Sequence, residues 1–186
     1  MSKLAILHLL PLFVMLAIAV VTDIRTRRIR NWLTFSLALT GLAQSFTFMH
    51  TVTPAASFLG LAAGFCLTFV LFAMGGLGGG DVKLLAGVGA WLGPLPVLAV
   101  FCLEAVIGMV IVLIQAAMQG RLTQLLHNSA LVAVNLTHVN ELGVAHVSAT
   151  GKSCRSVDRP LPYAVPVFLG VAALVAASWL RHGTGG

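Results

Sequence analysis

Charged residues are scarce in this sequence. Of its 186 residues, only eleven are Lys or Arg and five are Asp or Glu, whereas 59% are hydrophobic. A soluble domain of this composition would have too few polar residues to cover its surface. Several uncharged stretches also reach the ~20 residues that a helix needs to cross ~30 Å of hydrocarbon. The sequence therefore excludes an ordinary soluble domain and predicts an all-α, polytopic membrane protein embedded in a lipid bilayer.

Residue patterns that mark metal or cofactor sites are missing as well. The three cysteines form no CxxC pair, so neither a zinc site nor a disulfide framework is indicated. His127, His138 and His146 lack the i, i+4 spacing of two helical metal ligands. The glycine run at 75–80 is followed by Asp and Val, not by the Lys-Ser/Thr of a phosphate-binding loop, and it does not match GxGxxG. We expect no metal ion and no cofactor.

The apolar segments divide the chain into about six membrane-spanning helices within a single domain, residues 1–186. The predicted spans are 4–22, 32–49, 54–74, 82–92, 97–118 and 161–180. The stretch from Val82 to Gly120 is too long for one crossing, and GPLP at 93–96 provides the break. Residues 119–159 form one long polar connection in which leucine and valine recur at helical spacing. A helix lying on the membrane interface, a packing helix and a partly mobile loop all fit that pattern.

The basic residues lie mostly on one side of this arrangement. With the N-terminus outside, Lys3 and Arg181 are external, and the other nine of the eleven are cytoplasmic: Arg25, Arg27, Arg28, Arg30, Lys83, Arg121, Lys152, Arg155 and Arg159. Lys and Arg concentrate in the cytoplasmic loops of membrane proteins. Both termini are therefore predicted to be external and the loop 119–159 cytoplasmic. The same asymmetry accounts for the formal charge of +6 without a nucleic-acid partner.

Two of the five acidic residues share a setting. Asp23 follows the first predicted span and Asp81 precedes the fourth, so the two spans between them bring both to the cytoplasmic side. Two neighbouring carboxyl groups share one proton, so one can take a proton from water while the other polarises a peptide carbonyl. Gly78, Gly79 and Gly80 lack Cβ atoms, which would let a substrate backbone approach. This pattern predicts aspartic peptide hydrolysis. A helix cap at Asp81 and an arginine partner for Asp23 are the plainer interpretations.

The segments around both aspartates resemble those of the type IV prepilin peptidases. G-G-G-D at 78–81 matches the signature of GxGD aspartic peptidases, and D-I-R-T-R-R-I-R-N at 23–31 is similar to the family's other catalytic segment. R-P-L-P-Y-A-V-P at 159–166 resembles the start of its last helix. The resemblance covers nearly the whole chain and implies a GxGD peptidase-like fold with Asp23 and Asp81 as catalytic residues. Arg30 stands where the family usually has proline, which leaves both aspartates in place.

The resemblance also implies a substrate and a location. Prepilin peptidases cleave the short basic leader of a prepilin after a glycine, before the pilin's hydrophobic helix, at the cytoplasmic face of the bacterial inner membrane. Larger members carry an N-terminal domain with paired CxxC motifs and also N-methylate the product. This sequence has neither feature and is therefore similar to the short, peptidase-only members associated with Tad/Flp pili.

Two other functions remain open from the residues alone. A small transporter or channel would use the paired aspartates as proton or cation ligands. A non-catalytic assembly scaffold for a secretion system would not depend on the aspartates. Flux in proteoliposomes without peptide cleavage would support the transporter, whereas Asp-to-Asn changes that leave function intact would support the scaffold.

The sequence also predicts roles for the other charged residues near the predicted spans. Glu104 lies within the fifth predicted span, where we expect a structural hydrogen bond to a neighbouring helix, with catalysis as the alternative. Lys83 either lowers the affinity of the aspartate pair for a proton or extends to the membrane interface. The arginines at 25–30 are expected to hold the topology and bind anionic headgroups, not substrate.

Overall fold

The computed structural model describes residues 8–47, 52–74, 76–121, 123, 127 and 162–183. These residues contain helices and no β-strand, so the all-α prediction is confirmed for them. In this part of the chain six helices follow one another: α1 Leu10–Thr26, α2 Asn31–Gln44, α3 Pro54–Ala73, α4 Gly79–Leu92, α5 Pro94–Met118 and α6 Ala164–Gly183. Each overlaps one predicted span. Most of the predicted loop 119–159 lies outside the described residues.

Helix α1 continues four residues beyond the predicted end of its span at residue 22. Asp23 therefore lies in the last turn of the helix and not after it. The helix ends at Arg27, whose backbone is left-handed (φ 51°) and whose N–H donates to the Asp23 carbonyl oxygen at 2.8 Å. The predicted span is shorter than the helix because charged residues mark where the chain leaves the membrane's hydrocarbon core. The helix itself ends only where its backbone turns.

Helix α4 begins inside the glycine run, three residues before its predicted start at Val82. Gly78 has extended backbone, and its N–H donates to Asp81 Oδ2 at 2.9 Å. A carboxylate at the third helical position that bonds back to the residue before the helix stabilises the first turn. Asp81 thus fixes the helix start in a segment whose glycines have low helix propensity.

The break between α4 and α5 is a single residue. Gly93 has a φ of 86°, a left-handed conformation that favours glycine. Pro94 and Pro96 already lie in the first turn of α5, where a backbone N–H has no helical partner to lose. The fifth helix therefore starts at residue 94 and not at the predicted 97. The fourteen residues of α4 span about 21 Å at 1.5 Å per residue, which is still short of the hydrocarbon thickness.

Helix α4 lies at the centre of the bundle. It contacts α2, α3, α5 and α6, and nine of its fourteen residues are buried. A helix that is apolar on every side is expected to be covered on every side. The indole N–H of Trp91 donates to the Leu37 carbonyl oxygen at 3.0 Å and ties the far end of α4 to α2. The position of Asp81 in the first turn is therefore set by packing along the rest of the helix.

Helices α3 and α4 approach each other through glycine. A Cβ atom added to Gly60 would collide with the carbonyl oxygen of Gly89, and one added to Gly64 would lie 2.6 Å from the Leu85 carbonyl oxygen. Ser57 on the same face donates a hydrogen bond to the Ala90 carbonyl oxygen at 2.6 Å. Such stripes of small residues are the usual contact surface between membrane helices, because they let the backbones touch.

The outer surface of α3 and α5 is apolar. Every buried residue of α3 is small, whereas its large side chains, such as Phe58, Leu59 and Phe69, are exposed. Helices α3 and α5 are each long and apolar enough to cross a membrane, and buried residues make up only 22% and 17% of their most apolar windows. A core helix of a soluble protein would be mostly buried. This surface is consistent with a membrane protein, while the six-span count stays a prediction.

Candidate active site

Three helix ends meet around one cavity of about 360 Å³. They are the last turn of α1, the first turn of α4 and the segment that leads into α6. The two predicted catalytic residues both line this cavity, although they are far apart in the sequence. The described residues around it are Asp23, Arg27, Arg28, Ile29, Gly78, Gly80, Asp81, Pro162 and Tyr163. The fold thus brings the two carboxyl groups to one space large enough for water and part of a peptide.

Asp23 is buried, with 6% of its surface exposed. Its Oδ2 accepts the backbone N–H of Ala164 at 3.1 Å. Ala164 is the first residue of α6, and an N–H in that position has no partner within its own helix. The N-terminus of α6 also carries a partial positive charge, which favours an anion there. The Asp23 carboxylate is therefore held at a fixed point and stabilised by a neighbouring helix.

Asp81 also lines the cavity, one residue before the predicted span 82–92. The pKa of its carboxyl group is raised from 3.8 to about 6: partial burial is the largest cause, the hydrogen bond from the Gly78 N–H acts against it, and the nearby charge of Asp23 adds to it. Burial disfavours the charged form, and a second carboxylate nearby disfavours it again. Asp81 thus retains its proton to a higher pH than an exposed aspartate does.

Two of the three predicted substrate-binding glycines border the cavity. Gly78 and Gly80 line it, whereas Gly79 lies beside the Phe72 ring, where an added Cβ would be 3.7 Å from the nearest ring carbon. An added Cβ on Gly80 would be 3.2 Å from Ile29 Cβ, which is a tight contact. Glycine at position 80 therefore lets the segment after α1 approach α4. A role of these glycines in substrate binding stays a prediction.

The profile of the type IV leader peptidase family matches residues 10–113, which is 104 of the 186 residues. The chain belongs to the type IV leader peptidase family. Membership supports a peptidase whose substrates are prepilins, and together with α3 and α5 it is consistent with a membrane protein. Neither the curated proteins nor the solved structures gave a match.

The part of this leader peptidase that matches the family contains α1 to α4 and most of α5. It includes Asp23, the glycine run and Asp81. Helix α6 and the segment leading into it lie outside the matched residues, yet Pro162 and Tyr163 line the cavity and Ala164 holds Asp23. The cavity is therefore built from both the matched and the unmatched parts of the chain.

Glu104 in α5 makes the hydrogen bond to a neighbouring element that was expected of it. Its Oε1 accepts the hydroxyl of Tyr163, directly before α6. The Glu104 side chain is buried, and its Oε2 has no hydrogen-bond partner among the residues that the structure describes. The sequence reading did not single out Tyr163, although it is the sole tyrosine of the chain and stands in the P-Y-A-V-P segment. Its partner lies 59 residues earlier, so no local pattern could reveal the pair.

Lys83 is directed away from the cavity by its hydrogen bond. Its ammonium group donates to Asn31 Oδ1 at 3.0 Å, at the first residue of α2. Both residues border an apolar groove of about 580 Å³ on the outside of α2, α3 and α4. Arg27 and Arg28, in contrast, line the aspartate cavity. Two of the arginines assigned to topology thus also border the candidate site.

Proposed function

We propose that this leader peptidase is a membrane aspartic endopeptidase that removes the basic leader from type IV, Flp-like prepilins at the cytoplasmic face of the bacterial inner membrane. The observation that carries the proposal is that Asp23 and Asp81, from different helices, line one cavity. The family match supports a leader peptidase. The aspartic mechanism and the choice of substrate are inferred from the residues around that cavity.

In the proposed mechanism the two aspartates hold one proton between them. We assign that proton to Asp81, whose pKa is raised to about 6. The Asp23 carboxylate takes a proton from a water molecule as the water oxygen attacks the scissile carbonyl carbon. Asp81 at the same time donates to the carbonyl oxygen, which stabilises the tetrahedral intermediate. The proton on Asp23 then passes to the leaving amine as the C–N bond breaks, and one hydroxyl proton of the intermediate returns to Asp81, which restores the pair.

The lining of the cavity favours an uncharged residue at the cleavage point. Gly78 and Gly80 offer backbone without side chains, and a leader that ends in glycine adds none of its own. Arg27 and Arg28 repel the basic residues of a leader, which therefore lie outside the cavity. The hydrophobic helix of the prepilin remains in the bilayer beside the bundle.

We extend the proposal to cleavage without N-methylation. The resemblance associates methylation with paired CxxC motifs, and this sequence contains none. The mass of the released pilin distinguishes the outcomes, because one methyl group adds about 14 Da to the new amino terminus.

The proposal is tested with purified protein in proteoliposomes and a Flp-type prepilin, with leader release followed by mass spectrometry. Wild-type protein should release the leader, and Asp23→Asn and Asp81→Asn should not. Asp158→Asn, the same chemical change in the predicted loop, serves as the matched control and should cleave normally. Cleavage by a stably inserted Asp23→Asn or Asp81→Asn protein would overturn the two-aspartate mechanism. Proton or cation flux without cleavage would instead favour the transporter.

A further inference from the structure

Two consecutive residues connect the buried Glu104 to the proposed catalytic centre. The hydroxyl of Tyr163 donates to Glu104 Oε1, and the backbone N–H of the next residue, Ala164, donates to Asp23 Oδ2 at 3.1 Å. Adjacent residues share a planar peptide bond, so a shift of one moves the other. The point at which Ala164 meets Asp23 is therefore tied to the point at which Tyr163 meets Glu104.

Tyr163 stands between two open spaces. On one side it lines the aspartate cavity, and on the other it lines a second cavity of about 320 Å³ that Glu104 also borders. A ring surrounded by close-packed atoms is held by packing alone. Tyr163 packs against the core with part of its surface but has space on two sides, so its hydrogen bond to Glu104 is needed to hold the ring at one point between them.

Helices α5 and α6 do not depend on this hydrogen bond to stay together. They pack along their lengths, and an added Cβ on Gly170 of α6 would be 3.4 Å from the Val100 carbonyl oxygen and 3.5 Å from the Glu104 nitrogen. One hydrogen bond contributes little beside such a contact surface. Its loss should therefore leave the bundle folded and release only the segment at Tyr163.

We propose that Glu104 is a positioning residue of this peptidase: by holding Tyr163 it fixes both the Ala164 N–H on Asp23 and one wall of the aspartate cavity. This inference rests on the proposed aspartic function. Glu104 does not touch the reacting atoms, and what it supplies is a hydrogen-bond acceptor at a fixed place. Any side chain that offers an oxygen at the same point should therefore serve.

The test measures kcat and KM for leader release by three variants. Tyr163→Phe keeps the ring and removes the donor, and Glu104→Leu removes the acceptor. Both should lower kcat by about 10- to 100-fold with KM changed less than about threefold, since small displacements of a catalytic group have effects of that size. Glu104→Gln keeps an acceptor oxygen and should recover most of the kcat that Glu104→Leu loses. The double variant Glu104→Leu/Tyr163→Phe should be no worse than either single variant, because both remove the same bond.

Folding and function are separated in the same experiment. Yield in the membrane and the thermal unfolding midpoint of the solubilised protein identify any variant that fails to fold, and kcat is calculated per folded molecule. Wild-type kcat in Tyr163→Phe would overturn the inference, as would Glu104→Gln being as slow as Glu104→Leu. Asp23→Asn and Asp81→Asn are measured alongside. If they are inactive while Tyr163→Phe is normal, the proposed function stands and the positioning role is wrong. If either aspartate variant retains cleavage, the proposed function itself fails.

Discussion

The two parts of helix α4 differ sharply. From Val82 to Trp91 every residue except Lys83 is buried against neighbouring helices, whereas Gly79, Gly80 and Asp81 in the first turn are exposed or half-buried. The buried part has no freedom to adjust, since α3 touches its backbone. The first turn borders a cavity and carries a carboxyl group. Rigidity and chemistry are therefore separated along one helix: nine packed residues hold the first turn, with its single carboxyl group at Asp81, in place.

Glycine has a different role in each part. At Gly60, Gly64 and Gly89 the missing side chain is filled by the backbone of another helix. Gly78 and Gly80 instead border the cavity with the two aspartates, and an added Cβ there would meet side chains: Asp81 Oδ2 at 3.1 Å and Ile29 Cβ at 3.2 Å. Substitutions in the buried part should therefore reduce the amount of folded protein, while substitutions in the first turn should reduce the rate of each folded molecule.

The largest effect is expected from the aspartates. Asp23→Asn and Asp81→Asn should each lower kcat by on the order of 10³-fold or more, and the double variant should be scarcely slower, because residues that act as one unit lose their function together. Leader release under single-turnover conditions measures all three variants. Asparagine keeps the size of the acid, so the variants should still fold, and the unfolding midpoint of Asp81→Asn should match that of the wild type near pH 4, where Asp81 is protonated. Losses that multiply in the double variant would mean that the two residues act independently.

The aspartate pair could be predicted from the sequence because its signal is local. An acidic residue beside a predicted span is visible without any tertiary information, and counting spans places two such residues on one side. The starts and ends of the helices were less predictable. Helix α4 begins within glycines because Asp81 accepts the Gly78 N–H, and α1 continues past Thr22 until Arg27 turns. Both depend on hydrogen bonds that composition does not reveal.

The rest of the site could not be predicted because it depends on contacts between distant segments. Tyr163 meets Glu104 only after α5 and α6 have packed, and Ala164 meets Asp23 across 141 residues. The glycine contact between α3 and α4 has a sequence signal, the small residues Ser57, Gly60, Gly64 and Thr68 at helical spacing. That signal gives one face of the contact and does not identify the partner helix.

The second largest effect is expected in the buried part of α4. Gly60→Ala places a Cβ against the Gly89 carbonyl oxygen and forces α3 and α4 apart, which should destabilise the protein by about 3 kcal/mol. Gly108→Ala is the matched control, since its added Cβ would be 3.8 Å from the nearest Pro166 carbon, an ordinary contact. Thermal unfolding in detergent compares the two. A Gly60→Ala protein as stable as Gly108→Ala would show that the helices can separate at no cost.

A smaller effect, on rate alone, is expected at Gly80. Gly80→Val directs a branched side chain at Ile29, whose Cβ is already 3.2 Å from an added Cβ, and narrows the cavity. We expect kcat/KM to fall by about 100-fold, because misplacing catalytic groups by about 1 Å has an effect of that size. The kcat/KM of Gly80→Ala should lie between that of Gly80→Val and that of the wild type, and both variants should reach the membrane. Equal cleavage by all three proteins would mean that the first turn tolerates side chains and that the two parts of α4 do not differ in this respect.

The smallest effect is a pH dependence that belongs to the first turn alone. The pKa of Asp81 is raised from 3.8 to about 6, so Asp81 holds its proton below about pH 6 and loses it above. A pair that must hold one proton should therefore lose kcat/KM as the pH rises through about 6, because that ratio reports the free enzyme. Bound substrate excludes more water from Asp81, which disfavours its charged form further. The decrease of kcat with rising pH should therefore occur at a higher pH than the decrease of kcat/KM.

The free energy of unfolding should also depend on pH through the Asp81 proton, and it should fall as the pH rises. Because the folded state binds the Asp81 proton more tightly than the unfolded chain does, this proton stabilises the fold fully below about pH 4, and the contribution is lost as the pH rises through about 6. Asp81→Asn should remove that part of the pH dependence, whereas Gly108→Ala should retain it. Unfolding midpoints between pH 4 and 8 measure the difference. Identical pH profiles for Asp81→Asn and the wild type would mean that the first turn is as well solvated as a free loop, and that its partial burial has no influence on the proton.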